Sequence, residues 1–391
     1  MKTAVIFIAF ISALAVLCFA AGEDIDTYEY LYNAAQSNLD QLEILQNMAG
    51  LRFSGAGEFY SKALKRLLFD YKNLKGETER SAAKDQAMLL ASLLGAEKYT
   101  QSAPDIWAII DGFEVPLVKS EAMIALGRIR AKAYLPQVIH ILENINVMPT
   151  TDRLEGERLA FGAIIALEKF QDPSGYLPVF FASVGWYSKR IQEQALKSLD
   201  LIAEDPLPFM LDILDGMAYD YNTKYAVVKA IETSKRVSNA KKAGFAVVGY
   251  TEGWKIPAID LHSKVLLADM RKLAIHMVNK YKPDDEAIYP LLERSYIYGD
   301  VDEKFAAVSA LASQRTEAAA ALLSKFLMEL NAKRLSGNIT QEDEHMVRAV
   351  IPALGHTGRS EGRTALNSVR SSGWPPAVKK LAEEATKQLR N

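Results

Sequence analysis

Residues Lys119 to Ile145 read KSEAMIALGRIRAKAYLPQVIHILENI. Together with Val118, the residues Ala122, Ala125, Leu126 and Ile129 fall at i, i+4, i+7, i+8 and i+11, which places them on one apolar stripe of a helix. After the short link AKAY, the residues Leu135, Val138, Ile139, Leu142 and Ile145 fall at i, i+3, i+4, i+7 and i+10 and form a second such stripe. Pro136 stands in the first turn of the second segment, where its missing N–H costs nothing. The stretch predicts a helical hairpin.

The same pattern returns along the chain. Ala166-Leu167 is followed by Leu177-Pro178, Ser198-Leu199 by Leu207-Pro208, and Ala274, Met277 and Val278 by Tyr289-Pro290. Ala310-Leu311 precedes a second apolar stripe without proline, and the triplet Ala-Leu-Gly of 125–127 recurs at 353–355. First helices are expected to begin near residues 78, 115, 152, 188, 221, 262, 301 and 341, a step averaging roughly 37 residues, which is the spacing of stacked helical repeats.

With these residues the chain resembles the HEAT-like repeat family, in particular the short bacterial type known from bilin lyases. That type carries A-x-x-A-L-G in its first helix and L-P-x-[LV]-x-x-[LI]-L in its second. The resemblance covers most of residues 78–372 and implies an all-α fold, an α-α superhelix or solenoid of stacked hairpins. The tetratricopeptide pattern of Trp, Leu-Gly and Tyr is met in no unit. The expected division is a signal peptide over 1–22, an N-terminal helical cap over 23–76, the repeat solenoid over 77–372 and a C-terminal capping helix over 373–391. Caps are required because a terminal repeat otherwise leaves its core open. One stretch breaks the helical rhythm: AGFAVVGYTEGWKIPAID, residues 243–260, has three glycines, a proline and paired valines. It is expected to hold a shortened second helix and a surface loop, with Tyr250 and Trp254 as residues a binding loop would present.

Composition bounds the setting. The chain has 391 residues, a formal net charge of −2 and a single cysteine. Nothing in that balance provides the basic field that holds phosphate backbones, so nucleic acid is not an expected partner. Lys2, an apolar run from Ala4 to Ala20, and then small and acidic residues have the layout of a secretory signal. An exported protein, periplasmic in a bacterium, is the expectation. Membrane association would then come only through an uncleaved signal or a lipid on Cys18, and Leu17 fits a lipobox badly. A mature chain without cysteine uses no disulfide and relies on packing.

No nucleophile elbow, phosphate loop or zinc helix is present, and His140, His262, His276, His345 and His356 share no ligand spacing. HEAT-like di-iron hydroxylases carry His-Glu dipeptides, and this chain has none. No catalytic residue, metal or cofactor is therefore expected. The links from a second helix to the next first helix are rich in aromatics: Trp186, Tyr187, Tyr219, Tyr221, Tyr250, Trp254, Tyr296 and Tyr298, then Trp374. These rings either cover the neighbouring repeat or form a rim that binds, since Tyr and Trp dominate binding hot spots. His140, Glu143, Phe181 and Arg370 are further contact candidates on the second helices. The functional expectation is a non-enzymatic scaffold for a protein or peptide partner in the cell envelope. The alternatives are a hydrolase or lyase acting on envelope polymers, and a small-molecule or lipid carrier.

Overall fold

The computed structural model describes residues 25–51, 53–255 and 258–389. The segment expected to be a signal, Cys18 included, lies outside them. Every regular element among the described residues is a helix. The chain divides into two compact units that meet in sequence at Glu204 and Asp205.

The first unit contains α1 (25–34), α2 (Asn38–Leu51), α3 (Gly57–Tyr71), α4 (Glu77–Glu97), α5 (Ala103–Gly112), α6 (Pro116–Arg128), α7 (Leu135–Val147), α8 (Arg153–Phe170), α9 (Tyr176–Val184) and α10 (Lys189–Ile202). The second contains α11 (Leu207–Asp215), α12 (Tyr221–Thr233), α13 (Asn239–Lys255), α14 (Leu261–Tyr281), α15 (Ile288–Tyr298), α16 (Val301–Gln314), α17 (Glu317–Leu335), α18 (Gln341–Thr357), α19 (Arg363–Ser368) and α20 (Pro376–Gln388). The helices expected near 78, 115, 152, 188, 221, 262, 301 and 341 are α4, α6, α8, α10, α12, α14, α16 and α18. Each begins within one residue of its expected position. The hairpin of Lys119–Ile145 is α6 and α7, joined by a short 3₁₀ turn at Lys132–Tyr134.

Packing follows chain order. Within each unit every even-numbered helix packs on the next even one, and most odd-numbered helices pack on the next odd one, with hairpin partners closing the layer between the rows. The even row carries the core. Leu94, Leu126, Leu167 and Leu199 in the first unit, and Ile231, Val278, Leu311 and Leu354 in the second, occupy one register position and are all buried. Glycine after that position lets the next helix approach. A Cβ on Gly127 would stand 2.7 Å from the Ala166 backbone, and one on Gly355 would stand 2.9 Å from Ala385 Cα. The repeated Ala-Leu-Gly triplet is thus a helix-contact device.

The reading of 243–260 is corrected. Residues 243–255 belong to α13, a helix of 17 residues, and coil is described only from 258 to the Asp260 cap. The glycines that argue against a helix in isolation are where its neighbours touch it. A Cβ on Gly249 would meet Val228 at 3.1 Å, and one on Gly253 would meet Arg271 Cγ at 2.6 Å. Tertiary packing outweighs the local propensity.

Candidate functional site

The aromatic links are built mainly as locks between hairpins. In the first unit Trp186 and Tyr187 stack on each other between α9 and α10, with centroids 4.3 Å apart. The Trp186 indole N–H donates to the Ile145 carbonyl (3.0 Å), and the Tyr187 hydroxyl donates to Asn146 Oδ1 (2.8 Å), both on α7 of the preceding hairpin. Trp374 repeats the device in the second unit, donating to Asn331 Oδ1 on α17 at 2.7 Å.

Tyr250 is fully enclosed on α13, its hydroxyl 2.9 Å from the Leu291 carbonyl and 2.6 Å from Ser295 Oγ. Burial pushes its phenol far above the ordinary value, and does the same to Tyr187. Tyr296 is half-buried and stacks on Phe326 at 3.7 Å. Tyr219 and Tyr221 are half-buried, and Tyr219 lies against Gly216. Only Tyr298 of the eight is widely exposed, at 72%. As contact residues Tyr187 and Tyr250 are corrected: both are interior, Tyr187 turning from its link to Asn146 on α7 and Tyr250 from within α13 to Leu291 and Ser295 on α15.

Trp254 belongs to a cluster that sequence reading missed. Its ring is sandwiched between the guanidinium groups of Arg271 (4.0 Å) and Arg294 (4.5 Å), and its buried N–H has no acceptor in hydrogen-bonding geometry among the described residues. Arg271 grips Glu303 through two bonds of 2.8 and 2.9 Å and donates to the Gly253 carbonyl at 3.0 Å. Ser295 Oγ donates to the same Glu303 carboxylate at 2.6 Å. A second buried pair, Lys224 with Glu252 (3.2 Å), lies along the same helix, and Lys224 also donates to the Leu214 carbonyl. The charges of Arg271, Glu303, Lys224 and Glu252 are matched, and their bonds together with that of Tyr250 tie α13 to α12, α14 and α15.

The other contact candidates are scattered. His140 is exposed, bonded to Asn144 at 3.1 Å, and lines a groove of about 600 Å³ with Trp107 and Ile141. Glu143 is exposed, Phe181 is half-buried, and Arg370 pairs with Glu383 at 3.2 Å. Among the described residues no three His, Cys, Asp or Glu side chains converge as a metal site.

A different edge brings unpaired charge together. Where α4, α6 and α8 end and turn into their hairpins, the residues just past the helix are Lys98, Arg130 and Gln171, with φ of 54°, 54° and 53°. In the second unit Lys282, Arg315 and Gly358 take the same left-handed position after α14, α16 and α18. Glycine is the usual occupant of that position, because a Cβ is penalised there.

In the first unit these turns line a groove of about 720 Å³ with Arg128, Lys169 and Leu201. Lys169 is tied to Glu168 at 2.8 Å, and Glu168 is buried and also bound by Ser198 at 2.7 Å. Lys132, on the same turn, pairs with Asp172 at 3.5 Å. Lys98, Arg128 and Arg130 make no ion pair among the described residues: Arg130 donates to Gln171 Oε1 (2.8 Å), and Arg128 reaches Ser92 Oγ (3.3 Å). Three exposed cations without an ion pair thus border one concavity, and its one lining carboxylate among the described residues, Glu168, is already occupied. The comparable groove of the second unit is mixed in sign, with Arg315, His356 and Arg359 facing Glu317 and Glu361. No family model matches the chain, and neither does any curated protein.

Proposed function

We propose that this protein is an exported, non-catalytic scaffold: a HEAT-like solenoid of stacked hairpins that holds a protein or peptide partner on its surface in the cell envelope. The observation that carries the reading is the packing order. Helices that contact mainly their neighbours in sequence line up residues from successive turns along one edge, and such an edge is an extended contact surface. Lys98, Arg128 and Arg130, some thirty residues apart in sequence at their widest, border one groove in this way. The signal-like opening residues support export, and the link aromatics serve mainly to keep the hairpins in register.

The test is photo-crosslinking in the native compartment, with the reactive residue placed in turn at Lys98, Arg130, Glu143 and Tyr298. The expected result is one polypeptide captured from adjacent positions on one edge and not from the others. If no position captures a polypeptide, or all capture the same mixture, the scaffold reading is lost.

A further inference from the structure

We infer that the first unit's turn-edge groove, bordered by Lys98, Arg128 and Arg130, is a recognition site for an acidic peptide segment that carries an apolar side chain. This rests on the scaffold reading and names the chemistry of its partner. Cations near helix carboxyl ends are favoured by the helix dipole, which accounts for the presence of charge there. It does not account for Lys and Arg at the left-handed position. Glycine would end α4 and α6 equally well, without a Cβ penalty. Gln171, Lys282 and Arg315 stand at the same position in other hairpins; what sets Lys98 and Arg130 apart is that, with Arg128, they border one concavity.

The three cations have no carboxylate of this chain within ion-pair range among the described residues, and the exposed Leu201 forms part of the same wall. Arg130 spends one donor on Gln171, which orients its planar guanidinium and leaves the remaining N–H groups for a carboxylate pair. A segment with two or three acidic residues and a leucine-like neighbour matches these features in charge and polarity. The mixed-sign groove of the second unit does not.

The experiment uses the full mature chain and a fluorescein-labelled octapeptide of aspartate and glutamate with one central leucine, followed by anisotropy at low and physiological salt. Wild type is compared with the double variant Lys98→Gly, Arg130→Gly, and with a peptide in which every acid is replaced by its amide. The expected result is saturable binding of the acidic peptide that weakens about tenfold in the double variant and falls with salt, with no binding of the amide peptide. The melting temperature of the double variant should equal or exceed that of wild type, since glycine suits φ near 54°.

Three outcomes overturn the inference: no binding of the acidic peptide by wild type, equal binding by the double variant, or a sulfated glycan or single-stranded DNA bound tenfold more tightly at the same residues. If wild type ignores the acidic peptide while crosslinks from other positions still converge on one polypeptide, the groove assignment alone falls. Failure of both experiments removes the scaffold reading as well.

Discussion

Glu303 has no exposed surface, and its two carboxylate oxygens are divided between the Arg271 fork and Ser295. A buried charge that loses its partner costs far more than the pair gains, so Glu303→Gln should lower unfolding stability by about 3–5 kcal/mol in urea titration. Replacing both partners by apolar residues, Arg271→Met with Glu303→Leu, should recover most of that loss, because no unpaired charge then remains. A double variant as unstable as the single one would show that the cluster acts through shape and not through charge. Trp374→Phe is a milder case: it takes the donor from Asn331 Oδ1, while Asn331 Nδ2 keeps its bond to Ser368, and should cost about 1–3 kcal/mol. The sequence made the link aromatics visible as a set and gave no direction for their rings. Direction is fixed by acceptors far away in sequence, such as the Ile145 carbonyl under Trp186, and no local pattern reports them.

At the scale of elements, spacing of apolar residues was enough to place the first helix of each hairpin, because a stripe at 3.6-residue period survives any detail of the partner. Element α13 was misread because glycine counts against a helix taken alone, whereas here Gly249 and Gly253 are contact points. That distinction is testable by two substitutions of opposite sign. Gly127→Val drives a side chain into the backbone of α8 and should destabilise by about 3 kcal/mol or more. Gly244→Ala, exposed on α13 with open space around it, should stabilise by about 0.5–1 kcal/mol.

Helix starts carry a second prediction. Asp220 and Asp300 cap α12 and α16 through the backbone N–H groups of Thr223 and Glu303. Partial burial alone would raise these carboxyls, but the bonds from Thr223 on one, and from Glu303 and Lys272 on the other, hold both below the usual range. A depressed folded value means stability that is complete above the ordinary carboxylate value and lost as pH falls through the folded one. Urea midpoints should therefore hold steady from neutrality to about pH 5 and decline below about pH 4. Asp220→Asn and Asp300→Asn together should lessen that decline without removing it, since asparagine caps as well as aspartate without titrating and carboxyls such as Asp172, Asp205 and Asp343 are held low as well.

Across the whole molecule, the repeat pattern told that hairpins recur and gave no account of the charged edge. Lys98 is distant in sequence from Arg128 and Arg130 in a chain of net charge −2, and only stacking of successive turns sets them around one concavity. The consequence for stability is equally non-local in origin and local in effect. If helices are coupled mainly through sequence neighbours, damage should stay near its source, as in a one-dimensional array of repeats. Native-state hydrogen exchange on Gly127→Val should show protection falling in α6 and α8, where the added side chain intrudes, and to a lesser degree in α4 and α10, which pack on them. Amides of α16, α18 and α20 should keep wild-type protection. A globule with one shared core would instead lose protection everywhere by the same amount, and that uniform loss would rule out the stacked-repeat reading on which the scaffold proposal stands.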